Sequence, residues 1–161
     1  ELTDKKIISR KELTEAIKKI VENMISKMGV EGTVEAIESA DELKIAVRTK
    51  EGGVLIGENG RNLFALGHVV KRMAEQALPE KENFPFSLDV NDYQAKRIEE
   101  LKAIARISAQ RVRYFKKAVL MNPMSAFERR IIHTALMEYP DITTESVGQE
   151  PKRQVMIKPY N

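Results

Sequence analysis

MNPMSAFERRIIHTAL, residues 121–136, announces the start of a helix and then loads that helix with cations. Ser125 followed three positions later by Glu128 is the pattern of a capping box, in which hydroxyl and carboxylate each satisfy a free backbone N–H. The helix should end near Tyr139-Pro140, because the residue before a proline resists the helical conformation. At about 100° per residue, Phe127, Ile131, Ile132, Ala135 and Leu136 gather on one broad side, which predicts a core-facing stripe. Arg129 and His133, four apart, stack on the other side, with Arg130 further round the same exposed arc. Burial explains the isoleucines but not the arginines. Like charges at this spacing repel when the histidine is protonated, and an anion between them would remove the repulsion. A guanidinium offers a planar fork for phosphate, and an imidazole can donate a hydrogen bond or stack on a base. The bland alternative is a solvated face in which Arg129 or Arg130 pairs with Glu128, Glu138 or a neighbouring strand.

Outward from this stretch, Asn91 or Asp92 can cap a long helix. Ile98, Leu101, Ala105, Ser108, Val112 and Phe115 are expected to face its core, while Lys96, Arg97, Lys102, Arg106 and Arg113 face solvent. AVLMN (118–122) reads as a brief strand, and ITTESVG (142–148) and RQVMIKP (153–159) as two β segments around a Gly-Gln-Glu-Pro turn. Residues 91–161 thus read α-β-α-β-β. Lys116-Lys117 stands where a helix macrodipole favours positive charge and could add backbone contacts.

Residues 1–90 have a different character. Ser9 and Glu12 form a second capping box, followed by Leu13, Ile17, Ile20, Val21, Met24, Ile25 and Met28 at helical spacing until Gly29. TVEAIES (33–39) and LKIAVRT (43–49) read as a β-hairpin across a short turn. GGVLIGENGR (52–61) reads as a glycine-bounded loop, and from Asn62 a second helix carries Leu63, Leu66, Val70 and Ala74 on one face. Pro79 to Asn83 breaks the chain before FPFSLDV (84–90), in which Phe84, Phe86, Leu88 and Val90 alternate as a strand. His68, Tyr93 and Phe127 are read as packing or surface residues before any binding role.

Charge separates the halves. Residues 1–90 carry 14 Lys and Arg against 16 Asp and Glu, net −2, whereas residues 91–161 carry 13 against 8, net +5. The second half is the candidate for a polyanion. Absence of cysteine excludes disulfides and thiolate sites, and His68 and His133 stand too far apart in sequence to suggest zinc. No cofactor is expected. The longest uncharged run, Ala118 to Phe127, is too short and polar to span a bilayer, and no signal peptide precedes the first helix. A cytoplasmic protein without membrane insertion is therefore expected, and a start at Glu1 rather than Met suits a fragment. The acids are scattered, with Glu128 explained as a cap, so no catalytic constellation stands out and a non-enzymatic role is expected.

The Asn-Pro-Met entry, the Glu-Arg-Arg core, Arg129 and His133 separated by three residues, and the basic Lys152-Arg153 segment closely resemble the R-three-H nucleic-acid-binding domain. Gly57-Glu58-Asn59-Gly60, followed by Arg61, resembles the GxxG clamp of a KH domain, where glycine lets a nucleic-acid backbone approach the chain. The two middle positions are commonly basic in that family, and Glu58 departs from the pattern. A type II KH domain (α-β-β-α-α-β) over 1–90 followed by an R-three-H domain over 91–161 makes an α+β chain that resembles the C-terminal two-domain part of the bacterial Jag (KhpB) family. The resemblance implies binding of single-stranded RNA, with single-stranded DNA open, in post-transcriptional control linked to cell elongation, division and envelope synthesis. A small stand-alone KH protein is the implied partner. The rival reading is a scaffold whose degenerate KH domain docks another KH protein while only the second domain holds nucleic acid. Gly60→Asp should weaken RNA binding in the first case and leave it alone in the second.

Overall fold

The computed structural model describes residues 9–77 and 85–160. It divides into two units, Glu1–Gln94 and Ala95–Asn161. The expected break at Pro79–Asn83 and the strand position Phe84 lie outside the described residues.

In the first unit, helix α1 (Arg10–Lys27) starts on the Ser9 box: the Glu12 N–H donates to Ser9 Oγ at 3.2 Å and the Ser9 N–H to Glu12 Oε2 at 2.9 Å. Gly29, at φ +74°, closes the helix in the left-handed conformation. Met28 falls in the cap and stays exposed, contrary to the core role expected of it. Strands β1 (Gly32–Glu38) and β2 (Leu43–Thr49) pair antiparallel, from Gly32 opposite Thr49 to Glu38 opposite Leu43. The stretch expected to be a loop contains a short helix, α2 (Gly52–Ile56), and a 3-10 turn, Glu58–Gly60, before α3 (Arg61–Ala77). Burial of Leu55 in the common core explains the helical turn where glycine spacing alone suggested irregular chain. Strand β3 (Phe86–Val90) pairs parallel to β2, which is central in the order β1-β2-β3. Ile17, Val21, Leu43, Ile45, Val47, Val70 and Val90 fill the core beneath the helices.

Two polar side chains finish β3. Asp89 is buried, where its Oδ1 accepts from the N–H groups of Val90 at 2.9 Å and Gln94 at 3.3 Å, and Lys44 Nζ lies 3.3 Å from its Oδ2. Asn91 accepts from the Thr49 N–H at 3.1 Å and donates to the Thr49 carbonyl at 2.8 Å, so its amide adds one more rung beside β2.

The second unit follows from α4 (Tyr93–Phe115), whose first two residues belong to the first unit, through β4 (Val119–Leu120), α5 (Ala126–Leu136), β5 (Ile142–Val147) and β6 (Gln154–Pro159). Its antiparallel sheet has the order β4-β6-β5. Leu101, Ala105, Ala109 and Val112 of α4 meet Ile132, Leu136, Ile142, Val155 and Ile157 in one core. Ala109 takes the place expected of Ser108. Phe115 is 64% exposed, because α4 ends there and Lys116 turns away at φ +55°. Phe127 is also open, at 63%. Helix α5 is rotated about its axis relative to the expected stripe, so that Phe127 turns outward and Arg129 inward.

Candidate nucleic-acid interface

That rotation decides the fate of the cationic helix. The capping box forms as expected, with Glu128 Oε2 accepting from the Ser125 N–H at 2.9 Å, and Oε1 of the same carboxylate accepts from Arg97 Nε at 2.8 Å. Arg129 is only 7% exposed. Its guanidinium donates to the Met124 carbonyl at 2.8 Å and to Glu150 Oε1 at 2.8 Å. The exposed Arg-His pair expected from helical spacing is thereby corrected, and the helix does have matching acids. Their sources are a turn 21 residues downstream and the helix's own cap, which in turn meets Arg97 of α4. Burial is tolerable because the fork is satisfied at both ends and the stem is apolar.

His133 is half-buried and engaged at both ring nitrogens: Nδ1 lies 2.6 Å from Thr144 Oγ1 and Nε2 lies 3.0 Å from Ser146 Oγ. Thr144 and Ser146 sit two apart on β5, on the side that also carries buried Ile142. Hydroxyls can rotate to donate or accept, which suits a neutral ring needing one of each.

The other expected cations differ from this pair. Arg130 is exposed, and no side-chain bond ties it to the described residues. Lys152 is exposed likewise, in the turn that carries Glu150, and Arg153 is half-buried with its Nε enclosed and unbonded. The Arg129–Glu150 pair draws that turn onto α5, and the Met124 N–H reinforces it by donating to the Arg153 carbonyl at 3.2 Å.

In the first unit, Gly57 and Gly60 both adopt left-handed backbone, at φ +70° and +78°, with Asn59 between them at +52°. A Cβ at Gly57 would meet the Asn62 amide at 2.5 Å, and one at Gly60 would meet the Tyr93 ring at 2.8 Å. Asn62 in turn donates to the Val54 carbonyl at 2.9 Å. Glu58, Asn59 and Arg61 are exposed. Tyr93 packs against the core, as its packing reading anticipated, and His68 lies on the surface.

The R-three-H domain family model matches residues 99–159, the part of the chain that holds α5 and the basic turn. Similar curated proteins are named "RNA-binding protein KhpB". That of Clostridium symbiosum is 33% identical over 81% of this chain and 58% of its own length. That of Streptococcus pneumoniae strain D39 is 32% identical over 85% and 41%, and that of Bacillus subtilis 30% over 74% and 58%. The chain belongs to the KhpB (Jag) family. It spans about half the length of the curated KhpB relatives it matches, between 41% and 58% of these three.

Three residues that hold Arg129 and His133 in this KhpB-family chain were not anticipated from sequence. Thr144 and Ser146 carried a signal, being hydroxyls at the inward positions of a strand whose neighbour Ile142 is apolar. Glu150 carried little, as one acid in a basic turn.

Burial first, and the charge of Arg129 second, hold the His133 imidazole below its ordinary value. A base whose folded pKa is depressed takes up its proton later than the unfolded chain does. Its contribution to stability is therefore complete above the unfolded value, about 6.5, and is lost as pH falls through the folded one. Thermal melts between about pH 7 and 5 are expected to show a larger loss for the parent chain than for His133→Gln. Equal losses would mean that the histidine does not titrate against its hydroxyl partners.

Proposed function

We propose that this chain binds single-stranded RNA without catalysis, through the second unit chiefly, as part of a post-transcriptional regulator. What carries this reading is the pairing of Arg129 with Glu150, which sets exposed Lys152 beside the helix that presents Arg130. Arg129 and His133 then act as positioning residues, and Arg130, Lys152 and the end of Arg153 supply the cationic surface. Residues 95–161 hold 13 Lys and Arg and, with Asp92 left in the first unit, 7 Asp and Glu, net +6. The names of the relatives support RNA as the polyanion.

The first unit is proposed to be a type II KH domain. Its order α-β-β-α-α-β, the parallel β2–β3 pair and the Gly57–Gly60 turn leading into α3 support that assignment. Glu58 should repel phosphate. Phe64, 82% exposed on α3, favours a second role for this unit, docking a small KH protein as a scaffold. Roles in cell elongation, division and envelope synthesis, and residence in the cytoplasm, are proposed from the family. Among the described residues no helix is long and apolar enough to cross a membrane.

The test is fluorescence anisotropy of a labelled single-stranded RNA over a salt series. Arg130→Ala with Lys152→Ala is expected to weaken binding about tenfold and to reduce the log-affinity slope by roughly 1.4, two phosphate contacts at about 0.7 each. An unchanged slope would remove both residues from the interface.

A further inference from the structure

From Leu101 to Phe127 the chain contains no Asp or Glu, yet it carries Lys102, Arg106, Arg111, Arg113, Lys116 and Lys117. Near the middle of this span stand two large rings that no core covers. Tyr114 is 82% exposed, and Phe115 meets it edge to face, with centroids 4.9 Å apart and planes at 81°. Arg113, between Val112 and these rings, is tied elsewhere: its Nε donates to Asp141 Oδ2 at 2.7 Å and its guanidinium lies 5.7 Å from the Tyr139 centroid. Those bonds hold the end of α4 against the chain before β5 and leave Tyr114 and Phe115 facing water. The side chains of Arg111, Lys116 and Lys117 make no hydrogen bond or ion pair with described residues.

A helix C-terminus attracts cations through its dipole, which accounts for the lysines. It does not account for two uncovered aromatic rings. Exposed rings bordered by Arg111, Lys116 and Lys117, with the nearby Asp141 carboxylate already engaged by Arg113, are the composition of a surface that stacks unpaired bases while holding their phosphates. We propose that Tyr114 and Phe115, flanked by Arg111, Lys116 and Lys117, form a stacking contact for single-stranded nucleic acid, additional to the α5 surface. The assignment rests on the RNA-binding reading above and extends it to a base-recognising element. Ile104 and Ile107 are also exposed on α4 and would suit a protein, but Arg111, Lys116 and Lys117 beside the rings, in a stretch of sequence without acids, favour a polyanion.

The experiment compares the parent chain with Tyr114→Ala, Phe115→Ala by anisotropy, on a labelled single-stranded RNA and on an abasic strand of equal length. The variant is expected to bind the RNA about tenfold or more weakly per stacked base lost, and the abasic strand as the parent does. The chain contains no Trp, so Tyr114→Trp supplies a second readout, with emission expected to be quenched when RNA binds. It covers the case in which the alanine variant melts early. Equal RNA affinity of parent and variant, a loss just as large on the abasic strand, or unquenched emission from a bound complex would each overturn the stacking contact and leave RNA binding standing. Loss of self-association at unchanged RNA affinity would overturn it in favour of a protein interface. A parent chain that binds no single strand would overturn this contact together with the reading it rests on.

Discussion

Arg129→Ala is expected to destabilise the second unit by about 2–3 kcal/mol, whereas Arg130→Ala should stay within about 0.5 kcal/mol of the parent. The two arginines are adjacent in sequence and opposite in circumstance. Truncating Arg129 opens a gap beside the helix cap, strands the Met124 carbonyl, and releases Glu150 with the turn that carries Lys152. Truncating Arg130 removes a solvated cation. Urea denaturation measures the first effect, and RNA affinity separates the second, since Arg130→Ala should bind several-fold more weakly while folding normally. Arg129→Lys should recover only part of the stability, because an ammonium lacks the planar fork that reaches carbonyl and carboxylate together. An Arg129→Ala chain as stable as the parent but unable to bind RNA would reverse the assignment, making Arg129 a phosphate ligand.

The other large effect is expected at Gly60. Gly60→Asp should cost the first unit on the order of 2–4 kcal/mol, from a side chain forced into left-handed backbone and a Cβ 2.8 Å from the Tyr93 ring. It is therefore a poor probe of RNA contact, since any loss of binding would follow from a damaged loop. Glu58→Lys is the cleaner substitution, because Glu58 is exposed and makes no bond there. If the Gly57–Gly60 turn cradles a phosphate backbone, Glu58→Lys should tighten RNA binding several-fold, with the gain fading as salt rises. A chain that folds normally and binds no tighter would favour the docking role of this unit. Denaturation curves and salt-dependent anisotropy on the two variants check both halves of this expectation.

Much of the architecture was legible because it is local. Both capping boxes lie within four residues of sequence, and Leu43, Ile45 and Val47 show the strand alternation directly. What stayed hidden depends on partners distant in the chain. Arg129 looked solvated because its acid is Glu150, across a strand and a turn, and helical spacing ranks arginine as polar whatever meets it. Phe127 was placed in the core by the same arithmetic, which averages apolar positions and cannot see a satisfied guanidinium displacing them. The α2 turn was missed because glycines at 52, 53 and 57 dominate local propensity, while burial of Leu55 decides the outcome. Asp89 sits between the alternating apolar positions Leu88 and Val90, where strand alternation alone would turn a side chain outward, yet it is buried and serves as an internal hydrogen-bond acceptor for the start of α4.

The parallel pairing of β2 with β3 carries a kinetic consequence. The β1–β2 hairpin closes across four residues, Ser39 to Glu42, but the rung Leu43 opposite Phe86 joins residues 43 apart in the chain. A hairpin forms within microseconds, whereas the longer closure must be met from chain entropy before its contacts give anything back. The hairpin should therefore assemble early and wait, with one edge of β2 unsatisfied, until α3 has folded back and delivered β3. During that interval the open edge of β2 is the part of this chain most exposed to pairing with a neighbouring molecule.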